Sequence, residues 1–383
     1  TYIAIIKNFL QEKQMRDPRV DKLADLLVEY SVEVEPKQKV LIHGEAGGEP
    51  LMAAVFRKCL KVGAYPFVVP YTHDWIESIM RYASTEQYGA VYAPFREMYK
   101  TYDARVRILG EENTRELSQF DPKKVARMYE VYGRDLRIVL ERAGKGEMKW
   151  VGTLFPTNAY AQDANMSLTA YEDFVYSACM PDMDDPIGYW KKVEKRQEIA
   201  IRWLEGKKNV HITAPGTDLT LSIEGRPFVN CASKVNVPDG EIFTSPVENS
   251  ANGTVQFTYP TLYEGFEVTN VRLEFKDGKV VKASADKNED FLISKLDTDP
   301  GACYLGEFAI GTNEKIDRFT GQILFDEKIG GSFHLAVGHG YPESKSENDS
   351  AIHWDMICDL REGGEITVDG ELFYKNGKFT IDF

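Results

Sequence analysis

The chain has 383 residues, 43% hydrophobic and 28% charged, with a formal charge of −14. That composition is ordinary for a globular protein, and the length suits two or three separately cored domains. The acidic balance, without any basic cluster, excludes a general nucleic-acid role, and no apolar run reaches the roughly 18–20 residues that span a bilayer. At the start, TYIAIIKNFLQEKQ holds too short an apolar run (IAII) for a signal peptide, with no small-residue cleavage site behind it. A leading Thr fits loss of an initiator Met, and Met15 is an alternative start. Cys59, Cys179, Cys231, Cys303 and Cys358 are dispersed without C-x-x-C spacing, the pattern of buried or free thiols in a reducing cytoplasm.

In chain order, DKLADLLVEY sets Leu23, Leu26, Leu27 and Tyr30 at helical spacing. KVLIHGE reads as a buried strand, EPLMAAVFRKCLKVGA as an amphipathic helix ending at Gly63, YPFVVPY as a second strand, and residues 149–157 (KWVGTLFPT) as a third. Strands and helices in alternation predict a parallel, Rossmann-like α/β domain. The glycine-rich HGEAGGE lacks both the P-loop ending and the G-x-G-x-x-G spacing, so a plain tight turn outweighs phosphate binding. His43 and His73 stand alone and read as surface or supporting residues. The aromatic-rich segment 160–180 is core or cleft lining.

Asp185 followed by Pro186 predicts the N-cap of a helix that runs to about Gly206. Beyond it the texture is β-rich: VHITAP, DLTLSI and VQFTYP read as strands, and KDGK, VDGE and KNGK as hairpin turns. The expected division is an α/β domain over 1–195 and a β-rich mixed domain over 196–383, with the helix as the bridge.

Candidate chemistry gathers in the second half. Glu241 follows the Pro-Asp-Gly turn of PDGEIFTSP; Glu307 sits in the apolar strand YLGEFAIG; Glu327 is read as ending the strand ILFDEKIG. SFHLAVGHGY puts His334, Ala336 and Gly338 on one strand face, and IHWD puts His353 and Asp355 together on another. Such groups among apolar neighbours are costly to bury without compensation. Imidazole with carboxylate and no paired cysteine suits Zn²⁺, Co²⁺ or Mn²⁺ better than Ca²⁺ or an iron–sulfur cluster. Four carboxylates and two histidines exceed one four-coordinate zinc and fit two ions roughly 3.5–4 Å apart.

At these residues the chain resembles the thermophilic aminopeptidase family of two-metal metallopeptidases. The resemblance runs through KWVGTLFPTNAYAQDA, TDLTLSIEGR, VNVPDGEIFTSP, LGEFAIG, LFDEKIGGSFHLAVGHGY and IHWDM. It implies metal ligands at Glu241, Glu307, Glu327, His334, His353 and Asp355, and an active-site tyrosine at Tyr341. It also implies two divalent ions (Zn, Co, Mn or Mg), a dimer whose active site opens into an internal cavity, and removal of the N-terminal residue from peptides with a free N-terminus. Glu307 is the expected proton shuttle. His339 carries no metal role and is read as a supporting or cavity-wall residue. Two rivals stay open: a two-metal phosphoesterase, which would want Arg or Lys near the ions although none is adjacent to these motifs (Arg318 and Lys328 are the closest), and a peptide-binding protein whose metals are structural or absent.

Overall fold

Residues 17–180 and 182–382 are described by a computed structural model. The IAII run and Met15 lie outside the described residues, as does the side chain of His73. Four segments of the first half become the parallel strands β1 (Lys39–Glu45), β2 (Tyr65–Tyr71), β3 (Ala104–Leu109) and β4 (Lys149–Leu154). A fifth, β5 (Asn236–Val237), comes from the second half of the chain and completes a sheet of order β2-β1-β3-β4-β5. This winding is the flavodoxin-type order rather than the 3-2-1-4 order of a dinucleotide fold. β3 escapes a hydropathy reading because Arg105 and Arg107 interrupt its apolar residues.

The local grammar expected around these strands holds. The first helix covers Pro18–Leu26 and continues as a π-turn over Leu27–Ser31, burying Leu23, Leu26, Leu27 and Tyr30. Gly63 closes helix Glu49–Val62 at φ +88°, a left-handed cap that a side chain would strain. HGEAGGE forms a single 3₁₀ turn, Ala46–Gly48, leading into that helix. The segment 160–180 is core: Tyr160, Tyr171, Phe174, Val175 and Tyr176 are buried with the first-half apolar residues.

Asp185 caps helix Pro186–Leu204, its Oδ1 accepting from the Gly188 N–H at 2.9 Å. This helix bridges two cores, placing Trp190 in the first and Ala200 and Leu204 in the second. The second half builds two large antiparallel sheets and a two-stranded ribbon, Thr261–Tyr263 with Phe266–Val268. One has eight strands, ordered Lys279–Ser284, Arg272–Lys276, Asn252–Gln256, Thr217–Ser222, Asn209–Ala214, Glu365–Val368, Glu371–Lys375, Lys378–Phe379. The three expected hairpins are present, with Asp277–Gly278, Asp369–Gly370 and Asn376–Gly377 all at positive φ, as primed turns require.

The other sheet carries the candidate residues. Its strands are β6 (Glu241–Thr244), β7 (Leu305–Gly311), β8 (Ser332–Gly338) and β9 (His353–Asp359), with Val229–Cys231 beside β6, in the order β9-β8-β7-β6-(229–231). One face, with Ile242, Phe308, Ile310, Phe333, Leu335, Val337, Trp354 and Met356, belongs to the second core. The chain between β7 and β8 crosses back to the first core, which it enters with Ile316, Leu324, Phe325 and Ile329. All five cysteines are free. Among the described residues no helix is long and apolar enough to cross a membrane.

Candidate metal centre

Strand alternation decides which side chains share the remaining face of the β6–β9 sheet. On it lie Glu241 and Phe243 of β6, Glu307, Ala309 and Gly311 of β7, His334, Ala336 and Gly338 of β8, and His353 and Asp355 of β9. The register interleaves large polar groups with small ones: Glu307 pairs across to Ala336 and Ala336 to Asp355, while Gly338 faces His353 and Gly311 faces Glu241. Alanine and glycine at the intervening positions leave the space into which the acids and imidazoles project.

The structure brings all six expected ligands together. His334 Nε2 lies 3.3 Å from Glu307 Oε1 and 3.5 Å from Glu241 Oε2. His353 Nε2 lies 3.6 Å from Glu307 Oε2 and 3.3 Å from Asp355 Oδ2. Glu327 joins from outside the sheet, one carboxylate oxygen within 4.8 Å of ligand atoms on both His334 and Asp355. Its expected position is corrected: it does not end a strand but caps the helical turn Ile323–Asp326. That turn is held by Phe325, fully buried and 5.5 Å ring to ring from Phe174 of the first half.

Burial and charge set the protonation of this cluster. Burial works against charge on His334, yet the carboxylates of Glu307, Glu241 and Asp355 raise it to about 9. The same contest lifts His353 to about 10, with Asp355 and Glu307 outweighing burial. Asp355 is held down at about 2, because His353 overcomes the burial that would raise it. Glu307 is raised by burial, and burial pushes Glu327 to about 7 against the pull of Lys328. Burial and the nearby Glu307 and Asp355 keep the Tyr341 phenol protonated far above neutrality.

Tyr341 stands beside the cluster, its ring 5.0 Å from that of His353 and edge-on to Phe243 at 5.6 Å, and 37% exposed. It is therefore both adjacent to the acids and reachable. His339 contributes through its carbonyl, which accepts from His353 Nδ1 at 2.7 Å and so directs Nε2 toward Glu307 and Asp355. The corresponding supports that sequence reading missed are Ser344 and Ser245. Ser344 Oγ donates to the Tyr341 carbonyl at 2.8 Å and sits 2.6 Å from Ser245 Oγ. Nothing local marks these two serines, which are 99 residues apart.

One expectation fails outright. Lys328 is not remote from the ligands: its ammonium is 1% exposed, contacts Glu241 Oε1, lies 2.6 Å from Glu327 Oε1 and 3.9 Å from Asp239 Oδ1. Arg318, by contrast, is exposed and pairs with its neighbour Asp317. The signal for Lys328 was its place beside Glu327, and only folding shows that both side chains turn inward.

The donor set fits cations. Three overlapping groups, Glu241–Glu307–His334, Glu307–His353–Asp355 and Glu327–His334–Asp355, each hold their ligand atoms within 4.8 Å. Glu241 Oε2 and Asp355 Oδ1 are buried without a hydrogen-bond partner, a condition that proteins avoid unless something else satisfies the oxygen. Oxygen and imidazole donors without thiolate suit zinc, cobalt or manganese.

Comparison with known proteins agrees with this chemistry. A sequence model of the thermophilic metalloprotease family (M29) matches residues 16–379. Aminopeptidase 2 of Geobacillus stearothermophilus is 27% identical over 96% of this chain and 98% of its own length. Aminopeptidase T of Thermus thermophilus is 25% identical over 94% of this chain and 96% of its own. The solved structure of wild-type AmpT from Thermus thermophilus superposes with a TM-score of 0.84 over 95% of this chain and 99% of that one, at 21% identity, and so shows the same fold.

Proposed function

Because the chain belongs to the thermophilic metalloprotease family M29, we propose that it is a metal-dependent aminopeptidase and that the β6–β9 cluster is its active site. The observation that carries this reading is the convergence of Glu241, Glu307, Glu327, His334, His353 and Asp355, from five separate segments, with two buried oxygens left unpartnered. Each of Glu307, His334 and Asp355 belongs to two of the three groups, and a carboxylate shared in this way would bridge neighbouring ions, which supports a reading of two divalent ions.

Divalent ions held by these six side chains would supply polarisation of the scissile carbonyl and a water whose pKa is lowered toward neutrality. Glu307, buried in the centre of the cluster, accepts a proton and passes it to the departing amine. Tyr341 keeps its phenolic hydrogen and donates it to the oxygen that gains charge in the tetrahedral transition state. A phosphoester would find Lys328 unavailable to clamp it, since that ammonium is already engaged by carboxylates.

Hydrolysis of aminoacyl-p-nitroanilides before and after chelation tests this. Activity that disappears with the metal and returns on adding Zn²⁺, Co²⁺ or Mn²⁺ supports the assignment. Metal-replete protein that cleaves only phosphoesters, or nothing, overturns it.

A further inference from the structure

The environment of Lys328 asks for an explanation beyond the ligand set. A fully buried ammonium is expensive unless it is paired, and this one is surrounded by Glu241, Glu327 and Asp239. Its backbone is fixed at both ends: the Lys328 N–H donates to the Phe325 carbonyl at 2.9 Å, and its own carbonyl accepts from Asn313 at 3.2 Å. The ammonium is thus delivered to one place by a segment whose apolar side chains are locked in the first core.

Two further features define that place. Cys231, Asp239 and Glu241 form a fourth group with ligand atoms within 4.8 Å, and Lys328 sits against two of its three members. Asp239 Oδ2 accepts from the Ser233 N–H at 2.8 Å, while Oδ1 has no hydrogen-bond partner. Charge is the second feature. Asp239, Glu241, Glu307, Glu327 and Asp355 are five clustered carboxylates, and two divalent ions balance four of them. The Lys328 ammonium balances the fifth.

We propose that Lys328 is a positioning residue that serves as a built-in cation at the rim of the metal centre, fixing the carboxylates of Glu241 and Glu327 and keeping metal out of the Cys231–Asp239–Glu241 group. By occupying Glu241 Oε1 it leaves Oε2, 3.5 Å from His334 Nε2, as the oxygen that faces the ions. An ammonium tethered to the chain cannot exchange, so the orientation persists whether or not ions are bound. The inference rests on the two-ion assignment above.

Cobalt titration of the metal-free full chain, with a competing chelator, tests it in wild type and Lys328→Met. Wild type should take up two ions without a sulfur-to-cobalt charge-transfer band. Lys328→Met should bind at least one ion about 10–100-fold more weakly, the scale of losing a group that orients a ligand. It should also gain the sulfur-to-cobalt band, which adding Cys231→Ser should remove. An isotherm identical to wild type overturns the positioning role, and the lack of a band overturns the exclusion role. A lower melting temperature with an unchanged isotherm marks Lys328 as merely structural and also overturns the positioning role. Should Lys328→Met not fold, Lys328→Gln, which keeps a donor and drops the charge, is read the same way. Wild type that binds no ion refutes the two-ion assignment itself, a distinct result.

Discussion

Each half of the molecule buries a histidine among charged residues, and the two networks behave in opposite ways. In the parallel half His43 is fully buried: Tyr71 bonds its Nδ1, and Nε2 accepts from Arg105 Nε at 2.8 Å. Glu45 is clasped by Arg107 and also accepts from the Gly110 N–H at 3.1 Å. Burial, with Arg105 and Arg107 nearby, drives the His43 pKa well down, so the ring is neutral. In the antiparallel half the acids outnumber the bases, both imidazoles are pushed up rather than down, and oxygens of Glu241 and Asp355 remain without partners. The lesson is that burial of polar groups does not mark a reactive centre. Unmet bonding capacity and unbalanced charge do.

That contrast is open to attack by mutation. The largest effect is expected for His334→Ala, which takes a ligand from two of the three overlapping groups. Peptidase activity should fall by about 10³-fold or more, roughly 4 kcal/mol of transition-state stabilisation, and elemental analysis should find fewer bound ions. Tyr341→Phe should lower kcat by about 10²–10³-fold, the scale of one oxyanion donor, while metal content stays at the wild-type level. Normal turnover in this variant removes Tyr341 from the mechanism.

The raised histidines predict a pH effect of intermediate size. Without ions, His334 and His353 hold protons up to about pH 9 and 10, and a metal must displace them. Affinity should therefore rise steeply from pH 6 to about pH 10 and level off above it, with proton release detectable by calorimetry in buffers of different ionisation enthalpy. Affinity that is flat across that range contradicts the charge assignment. The smallest effect on catalysis is expected in the other network. His43→Phe leaves the Arg105 Nε–H without its acceptor and should lower stability by about 1–3 kcal/mol, seen as an earlier urea midpoint. The kcat of the folded enzyme should not change.

Legibility of the fold followed local chemistry closely. The hairpins at Asp277–Gly278, Asp369–Gly370 and Asn376–Gly377, the cap at Asp185 and the stop at Gly63 were all readable, because each depends on residues a few positions apart. Strand β3 was not, since its arginines look solvated until Arg105 is seen against His43 and Arg107 against Glu45. In the candidate metal centre, Glu307, His334, His353 and Asp355 were visible through strand alternation. Glu327 was placed on the wrong kind of element, and Lys328 was set aside, because a helical turn anchored in the core of the other half has no period to read.

By itself the amino-acid sequence determined which side chains each strand presents to a common face, since a period of two is a property of the extended backbone. It also determined the donor chemistry, oxygen and imidazole with no clustered thiols. Only the tertiary structure decided that Glu241, Glu307, His334, His353 and Asp355 occupy adjacent strands in a register that sets Ala336, Gly311 and Gly338 between them. It alone decided that Phe325, anchored in the other half, carries Glu327 and Lys328 into the same space. Register and anchoring depend on packing between residues far apart in the chain, and no local pattern encodes that.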